Sequence, residues 1–152
     1  MTHQVVVERV PSELIAAVRV VVPVGGVARA WGPALDQVWA YLRANPQVAR
    51  ELNLFLYHHP ARAGDPITAE FGVQVAQRFE PAGEVRCVAT PAGDVARTVH
   101  VGPYDRLGDA HAAIQAWSVA NGRKIGAASW ETYGHWTDDS AQLETTISYL
   151  LA

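Results

Sequence analysis

The sequence has little of what several common kinds of protein depend on. Its 152 residues include a single cysteine, Cys87, which excludes an intramolecular disulfide and a metal site built from several thiolates. We expect Cys87 to be a small buried residue of the strand 85–89 rather than a reactive thiol. The net charge of −3 leaves no basic footprint of the kind that binds nucleic acid.

Long apolar runs are also missing. No run approaches the roughly 20 residues that a helix needs to span a bilayer. The N-terminal stretch lacks a basic region and meets Glu8 and Arg9 too early for a signal peptide. The sequence therefore predicts a cytoplasmic protein without a membrane segment. Its 49% hydrophobic and 18% charged residues are ordinary for one globular domain of this length.

An internal repeat is the most informative feature that is present. Residues 95–151 restate residues 15–76 in the same order: apolar strand, glycine-containing turn, amphipathic helix, aromatic strand, acidic loop and alternating strand. In this alignment Gly32 corresponds to Gly108 and Tyr41 to Trp117. A solenoid needs at least three copies, so we expect two halves of one domain, residues 4–79 and 84–152 within 1–152.

Turn signals and periodicity predict two β-β-α-β-β units. We expect the first helix to begin near Gly32-Pro33, since proline is tolerated in a first turn, and the second to have Asp105 as its N-cap and Gly122 at its end. The junction 80–83 is too short for a flexible linker, so the halves should share a core. The predicted fold is α+β, with helices on one side of an antiparallel sheet and a ligand cleft between the halves. The predicted strands are 4–10, 14–22, 53–59, 68–76, 85–89, 95–101, 130–136 and 143–151.

The strand 130–136 carries the densest group of candidate functional residues. Alternation along it places Glu131, Tyr133 and His135 on one face. An acid with a tyrosine two residues further on suits a pocket for a flat, cationic or polarised molecule, because the ring stacks and the carboxylate supplies charge. The alternative is an exposed edge strand with Glu131 in water.

Further candidates come from both halves. Glu70 aligns with Thr146, so it would make one wall of the cleft acidic if it faces the cleft; the alternative is a solvent-facing Glu70. Tyr104 follows a Gly-Pro pair, and the proline fixes the backbone just before the second helix. Four other aromatic residues are expected to face the cleft or the core: Trp39, Phe55, Tyr57 and Tyr149.

Patterns typical of metal and cofactor sites are missing. His58 and His59 are adjacent and would point to opposite faces of a strand, while His100, His111 and His135 have no partner at ligand spacing. The sequence has no nucleophile elbow, phosphate loop or dinucleotide fingerprint. We therefore expect neither a metal nor a cofactor.

Several segments together resemble one known family. The Gly-Pro-Tyr corner at 102–104, the strand Trp-Glu-Thr-Tyr at 130–133, the acidic loop with Asp138-Asp139 and the closing TTISYLL are similar to the GyrI-like small-molecule-binding family. That family is similar to the effector-binding domains of AraC- and MerR-type multidrug-sensing regulators. The resemblance covers nearly the whole chain. The chain departs from the family in two places. The first half has Gly25-Gly26-Val27-Ala28 in place of the corner. In the second half, Thr146 stands where many relatives have an acid.

The resemblance implies a binding site between the halves. In such domains a buried glutamate, ringed by aromatic residues, receives hydrophobic cations. It corresponds here to Glu131, with Tyr133 beside it, Tyr104 at the helix corner and Tyr149 on the last strand.

Three functions follow from the resemblance. The first is a stand-alone binder of hydrophobic, cationic or aromatic small molecules. Because residue 1 lies just before the first strand, we expect no helix-turn-helix and no direct contact with nucleic acid, so that any regulation would need a protein partner. The second is a hydrolase that opens cyclopropane rings of genotoxic natural products, with Glu131 as general base and Tyr133 or Tyr104 as donor to the oxyanion. The third is a protein-interaction module of the gyrase-inhibitor type. We prefer the binder because it needs no activated nucleophile.

Overall fold

The chain forms one antiparallel sheet of eight strands with two helices, in a computed structural model that describes residues 3–152. The elements follow each other as β-β-α-β-β twice, and this confirms the predicted α+β class. The strands are β1 (Val6–Val10), β2 (Leu14–Val22), β3 (Arg50–His58), β4 (Ile67–Val75), β5 (Val85–Ala89), β6 (Gly93–Val101), β7 (Ile125–Tyr133) and β8 (Glu144–Leu151). The helices are α1 (Val27–Ala44) and α2 (Leu107–Asn121).

The strand order interlocks the two halves of the chain. Across the sheet it runs β1-β6-β8-β7-β3-β4-β2-β5, so β3 and β7 pair at the centre. Each half also gives its first strand to the other, because β1 lies beside β6 and β5 beside β2. When β1 to β4 are exchanged with β5 to β8, the same order results, read from the opposite edge of the sheet. The sheet therefore has an approximate two-fold arrangement. The duplication itself, with its boundaries 4–79 and 84–152, stays a prediction.

The first helix begins earlier than its sequence suggests. The prediction of a start near Gly32 was wrong, since α1 begins at Val27 and contains Pro33. Proline cannot donate the backbone hydrogen bond of a helix interior. Val27 and Ala30 pack against the buried core, and this packing keeps the residues before the proline helical.

The second helix differs from its prediction at one end only. Asp105 does not cap it; that residue lies in a single 3-10 turn, Tyr104–Arg106, which leads directly into α2. Gly122 ends the helix in a left-handed conformation with φ of 60°, as predicted. Among the described residues, no helix is both long and apolar enough to cross a membrane.

Both helices cover the same face of the sheet. Phe55 in β3 pairs with Glu131 in β7, which pairs in turn with Ile147 in β8. Residues directly opposite each other on neighbouring strands point to the same face. Phe55 belongs to the core under α1 and Ile147 to the core under α2, so the helices lie side by side over the two halves.

The other face carries a second apolar cluster to which both halves contribute. Its fully buried members are Ile15, Ala17, Leu54, Leu56, Val95 and Trp130. Gly72 in β4 lies in this face between Ala17 and Leu54. A Cβ atom built on Gly72 would lie 2.6 Å from the carbonyl oxygen of Ala16 and 3.0 Å from the Cβ of Ala17. The backbones of β2 and β4 therefore approach too closely for any side chain at this position.

We expect Gly72→Ala to lower the free energy of unfolding by about 1–3 kcal/mol, because the new methyl group must push backbone aside. The matched control is Gly108→Ala near the start of α2, where a Cβ meets no atom within 4 Å. This control should be stabilising by about 0.5 kcal/mol, since alanine favours helix over glycine. Urea denaturation measures both values. An unchanged midpoint for Gly72→Ala would contradict the close approach of β2 and β4.

Candidate functional site

A cavity of about 690 Å³ opens between the two helices. The central strands β3 and β7 form its floor, while the first half of α1 and the corner leading into α2 form its walls. It therefore lies where the two halves of the chain meet. Its aromatic lining consists of Trp31, Phe55, Tyr57, Tyr104, Tyr133 and Trp136.

The mouth and the floor of this cavity differ in character. Trp31, Tyr104 and Trp136 are 44%, 38% and 70% exposed, so they lie at the mouth. Phe55 and Tyr57 are buried at the floor. The ring of Tyr104 at the mouth meets the ring of Tyr133 edge to face, with 5.5 Å between their centroids. A molecule entering the cavity meets aromatic surface first.

The buried carboxylate of the cavity is that of Glu131, whereas Glu51, which also lines the cavity from β3, is exposed. On the helix-covered face, Glu131 belongs to a row of residues that lie opposite each other on neighbouring strands. All the remaining residues of this row are uncharged. Glu131 is only 7% exposed. A charge buried to this extent is costly unless hydrogen bonds compensate for the water it has lost. The row reads Val85, Val18, Phe71, Phe55, Glu131, Ile147 and Thr98.

Three donors from three elements compensate the buried charge. Oε1 of Glu131 accepts hydrogen bonds from the hydroxyls of Tyr133 in β7, at 2.5 Å, and Tyr57 in β3, at 3.2 Å. Oε2 lies 2.7 Å from Nε2 of His111 in α2. Because a carboxylate can only accept, the imidazole Nε2–H is the donor. On its other side, Nδ1 of His111 lies 2.7 Å from the hydroxyl of Tyr149 in β8.

This arrangement keeps Glu131 charged. Burial by itself would raise the pKa of the carboxyl, but the hydrogen bonds from His111, Tyr133 and Tyr57, with the charge of His111, outweigh burial and lower it. Burial and the adjacent Glu131 charge raise the pKa of Tyr57 and of Tyr133. Both phenols therefore remain protonated and keep donating to the carboxylate.

The repeat shows where the two halves diverge at this site. The alignment that pairs Gly32 with Gly108 also pairs Leu35 with His111 and Phe55 with Glu131. Leu35 and Phe55 are buried and line the same cavity. The first half thus supplies an apolar pair where the second half supplies the carboxylate and its imidazole partner.

The two phenols, in contrast, are equivalent in both halves. The same alignment pairs Tyr57 with Tyr133, and Phe55 faces Glu131 directly across the central strand pair. The approximate two-fold axis of the sheet therefore passes beside the carboxylate. Since both tyrosines lie next to this axis, both reach the single carboxylate that the second half provides.

Five of the residues predicted from the sequence line the cavity: Glu131, Tyr133, Tyr104, Phe55 and Tyr57. Tyr149 is connected to Glu131 only through His111. Trp39 does not reach the cavity; it packs on the core of the first half with the guanidinium carbon of Arg50 at 5.9 Å from its ring centroid.

Glu70 does not reach the cavity either. It is adjacent in β4 to Phe71, whose ring faces α1, so alternation turns Glu70 to the opposite face of the sheet from Glu131. The expected acidic wall is therefore missing there, and Glu70 is not solvent-facing, since it is only 1% exposed. Nε2 of His58 lies 2.8 Å from its carboxylate, and Arg19 and Arg86 each approach it to 3.5 Å.

Sequence reasoning missed His111, which has no ligand-spaced partner along the chain. Its partner, Glu131, comes from a strand that follows α2. A signal was present, because His111 lies one helical turn after Leu107 and between Ala110 and Ile114, within the apolar stripe of the helix. A polar residue in such a stripe requires a buried partner.

The sequence model of the GyrI-like small molecule binding domain matches residues 3–150. The chain belongs to this family. The match confirms the resemblance inferred from the Gly-Pro-Tyr corner and the Trp-Glu-Thr-Tyr strand. A search of curated protein sequences gives no match.

Solved structures share the fold of this GyrI-like domain. The C-terminal domain of EcmrR superposes with a TM-score of 0.82 at 23% identity, covering 100% of this chain and 99% of that one. In a complex of EcmrR with DNA, this chain corresponds to 58% of the longer EcmrR chain, at 23% identity and a TM-score of 0.81.

Two more distant structures carry functional names. A hydrolase from Listeria innocua has a TM-score of 0.65 at 11% identity and covers 99% of this chain and 93% of its own. SAV2435 bound to tetraphenylphosphonium has a TM-score of 0.66 at 11% identity and covers 100% of this chain and 94% of its own. At these identities the likeness establishes a common fold.

We expect the lowered pKa of Glu131 to make the protein sensitive to acid. A carboxyl whose pKa is lower in the folded than in the unfolded chain stabilises the fold above its ordinary value of 4.5. That stability is lost as the pH falls through the folded pKa. Urea denaturation at several pH values below 4.5 should therefore give a steeper fall in unfolding free energy for the native protein than for Glu131→Gln.

The control for this measurement is Glu84→Gln, which removes the same charge from an exposed turn. It should keep the pH dependence of the native protein. Identical slopes for the native protein and Glu131→Gln would show that the three donors do not stabilise the carboxylate.

Proposed function

We propose that this GyrI-like domain binds hydrophobic, cationic small molecules, with Glu131 as the counter-ion at the cavity floor. The observation that carries the proposal is a charged carboxylate, 7% exposed, below an aromatic-lined cavity of about 690 Å³. This volume lies within the usual range for small-molecule pockets. A bound cation would complete the compensation of the buried charge, and aromatic faces add cation–π attraction.

The aromatic mouth supports a hydrophobic cation over a small hydrated one. Trp31, Tyr104 and Trp136 offer rings against which flat or aromatic ligand surface can stack. A metal or ammonium ion would have to give up its water without gaining such contacts. Tetraphenylphosphonium, the ligand of SAV2435, combines one positive charge with apolar rings and is therefore a suitable probe.

Hydrolysis of cyclopropane-bearing compounds is the second candidate, favoured by the hydrolase name of a structural neighbour. It would use Glu131 as general base. An effective base has a pKa near the working pH, whereas the donors around Glu131 lower its pKa further from neutrality. This weakens its basicity and favours binding. Turnover of a cyclopropane-bearing compound that is lost in Glu131→Gln, while the compound still binds, would favour the hydrolase instead.

We expect tetraphenylphosphonium to bind the native protein and Glu131→Gln to weaken that binding by about tenfold or more, because the variant removes the buried counter-ion. Calorimetric titration measures both affinities. Tetraphenylborate has nearly the same shape and the opposite charge, so it should bind the native protein more weakly than the cation does. Equal affinity for the two ions would contradict the proposal.

The matched protein control is Glu70→Gln. It makes the same substitution at another buried glutamate, on the face of the sheet that has no part in the cavity. After thermal melting has established that the variant is folded, its affinity for tetraphenylphosphonium should equal that of the native protein. A loss as large as that of Glu131→Gln would indicate an indirect effect of charge rather than a site at Glu131.

A further inference from the structure

We propose that the protonation state of His111 sets how strongly the cavity binds a cation, because protonated His111 and the cation compete to neutralise Glu131. The inference rests on the proposed function and adds the residue that tunes it. His111 is placed for this role because its Nε2 lies 2.7 Å from Oε2 of Glu131. Its side chain is 25% exposed, so the imidazole can exchange protons with solvent.

The hydrogen-bond network accommodates both protonation states of His111 if only the hydroxyl hydrogen of Tyr149 rotates. In the neutral ring, Nε2–H donates to Glu131 and Nδ1 accepts from the Tyr149 hydroxyl. In the protonated ring, Nε2–H still donates to Glu131, and Nδ1–H donates to the Tyr149 oxygen, since a phenol can both donate and accept. Only the charge of the pair changes, from negative to neutral.

The other ionisable groups around the pair do not compensate this change. Burial raises the pKa of Tyr149, and both burial and Glu131 raise those of Tyr57 and Tyr133, so the phenols remain neutral. His59, after β3, stacks on Tyr149 and lies 2.6 Å from the Ser129 hydroxyl. Burial and the charges of His111 and His58 lower the pKa of His59, which favours its neutral form.

More distant charged groups are paired elsewhere. On α2 itself, Arg106 and Asp109 form an exposed ion pair with each other. In β6, which packs against α2, His100 is hydrogen-bonded to His3 and to the carbonyl of Pro103. Two further ionisable side chains line the cavity, Glu51 in β3 and His135 after β7, and both are exposed. The buried charge that a ligand meets at the floor is therefore that of Glu131, which a protonated His111 offsets.

A direction for cation binding follows. With neutral His111 the floor carries one negative charge and attracts a cation; with protonated His111 the charges cancel. A permanent cation should therefore bind more tightly once His111 has lost its proton, and its binding to protein that carries protonated His111 should release that proton.

The test measures the affinity for tetraphenylphosphonium between about pH 5 and 8, since its charge does not change with pH. In the native protein we expect the affinity to rise with pH by up to about tenfold per unit, the limit for one released proton. His111→Gln keeps an amide that can donate to Glu131 but cannot be protonated, so its affinity should be nearly independent of pH. The control His58→Gln changes a histidine that lies outside the cavity and contacts Glu70 on the opposite face of the sheet, and it should keep the native pH slope.

Proton counting supplies a second readout that needs no variant. Titrating the native protein with tetraphenylphosphonium in two buffers of different ionisation enthalpy gives the number of protons released per bound cation. We expect up to about one on the acid side of the transition. Two outcomes would overturn the role of His111 and leave the proposed function intact. One is binding that depends on Glu131 but releases no proton, and the other is a pH slope that persists in His111→Gln. Binding that is absent at every pH, or unaffected by Glu131→Gln, overturns the proposed function as well.

Discussion

The compensation of the Glu131 charge is the interaction on which the site depends. The carboxylate lies in a cross-strand row of uncharged residues at the centre of the sheet. It can stay ionised there because donors from β3, β7 and α2 converge on its two oxygens. These elements come from both halves of the chain, so the site exists only when the halves are joined along β3 and β7 and α2 is docked on the sheet.

The two-fold arrangement of the fold explains both the position of the cavity and its one-sided chemistry. Two helices that each cover their own half leave space above the central strands. Side chains near the axis can act together, as Tyr57 and Tyr133 do on one carboxylate. The symmetry is broken at two positions. Leu35 and Phe55 of the first half correspond to His111 and Glu131 of the second half. The floor therefore has a single carboxylate–imidazole pair rather than two opposed pairs.

Much of this arrangement could be predicted from local patterns, and the exceptions have physical reasons. Alternation and turn residues located the eight strands and the glycine that ends α2, although β7 runs from Ile125 to Tyr133 rather than over 130–136, so that His135 lies beyond its end. The start of α1 and the cap of α2 were wrong, because packing of Val27 and Ala30 keeps the residues before Pro33 helical, and a 3-10 turn takes the place of a cap at Asp105. Glu70 follows neither alternative considered from the sequence, because its alternation with Phe71 turns it away from the cavity and it is nevertheless buried. His111 was missed because its partner is distant in sequence.

The sequence by itself determined the kinds of element, their order and the family, because these depend on periodicity, turn chemistry and short motifs along the chain. It also marked Glu131 and Tyr133 as neighbours on one strand face. Only the tertiary structure decided the strand order, in which each half completes the sheet of the other. That order brings Tyr57, His111 and Tyr149 to Glu131. Such contacts depend on which strands pair and on how a helix docks, and the pairing is decided by long-range burial and hydrogen bonding rather than by neighbours in the chain.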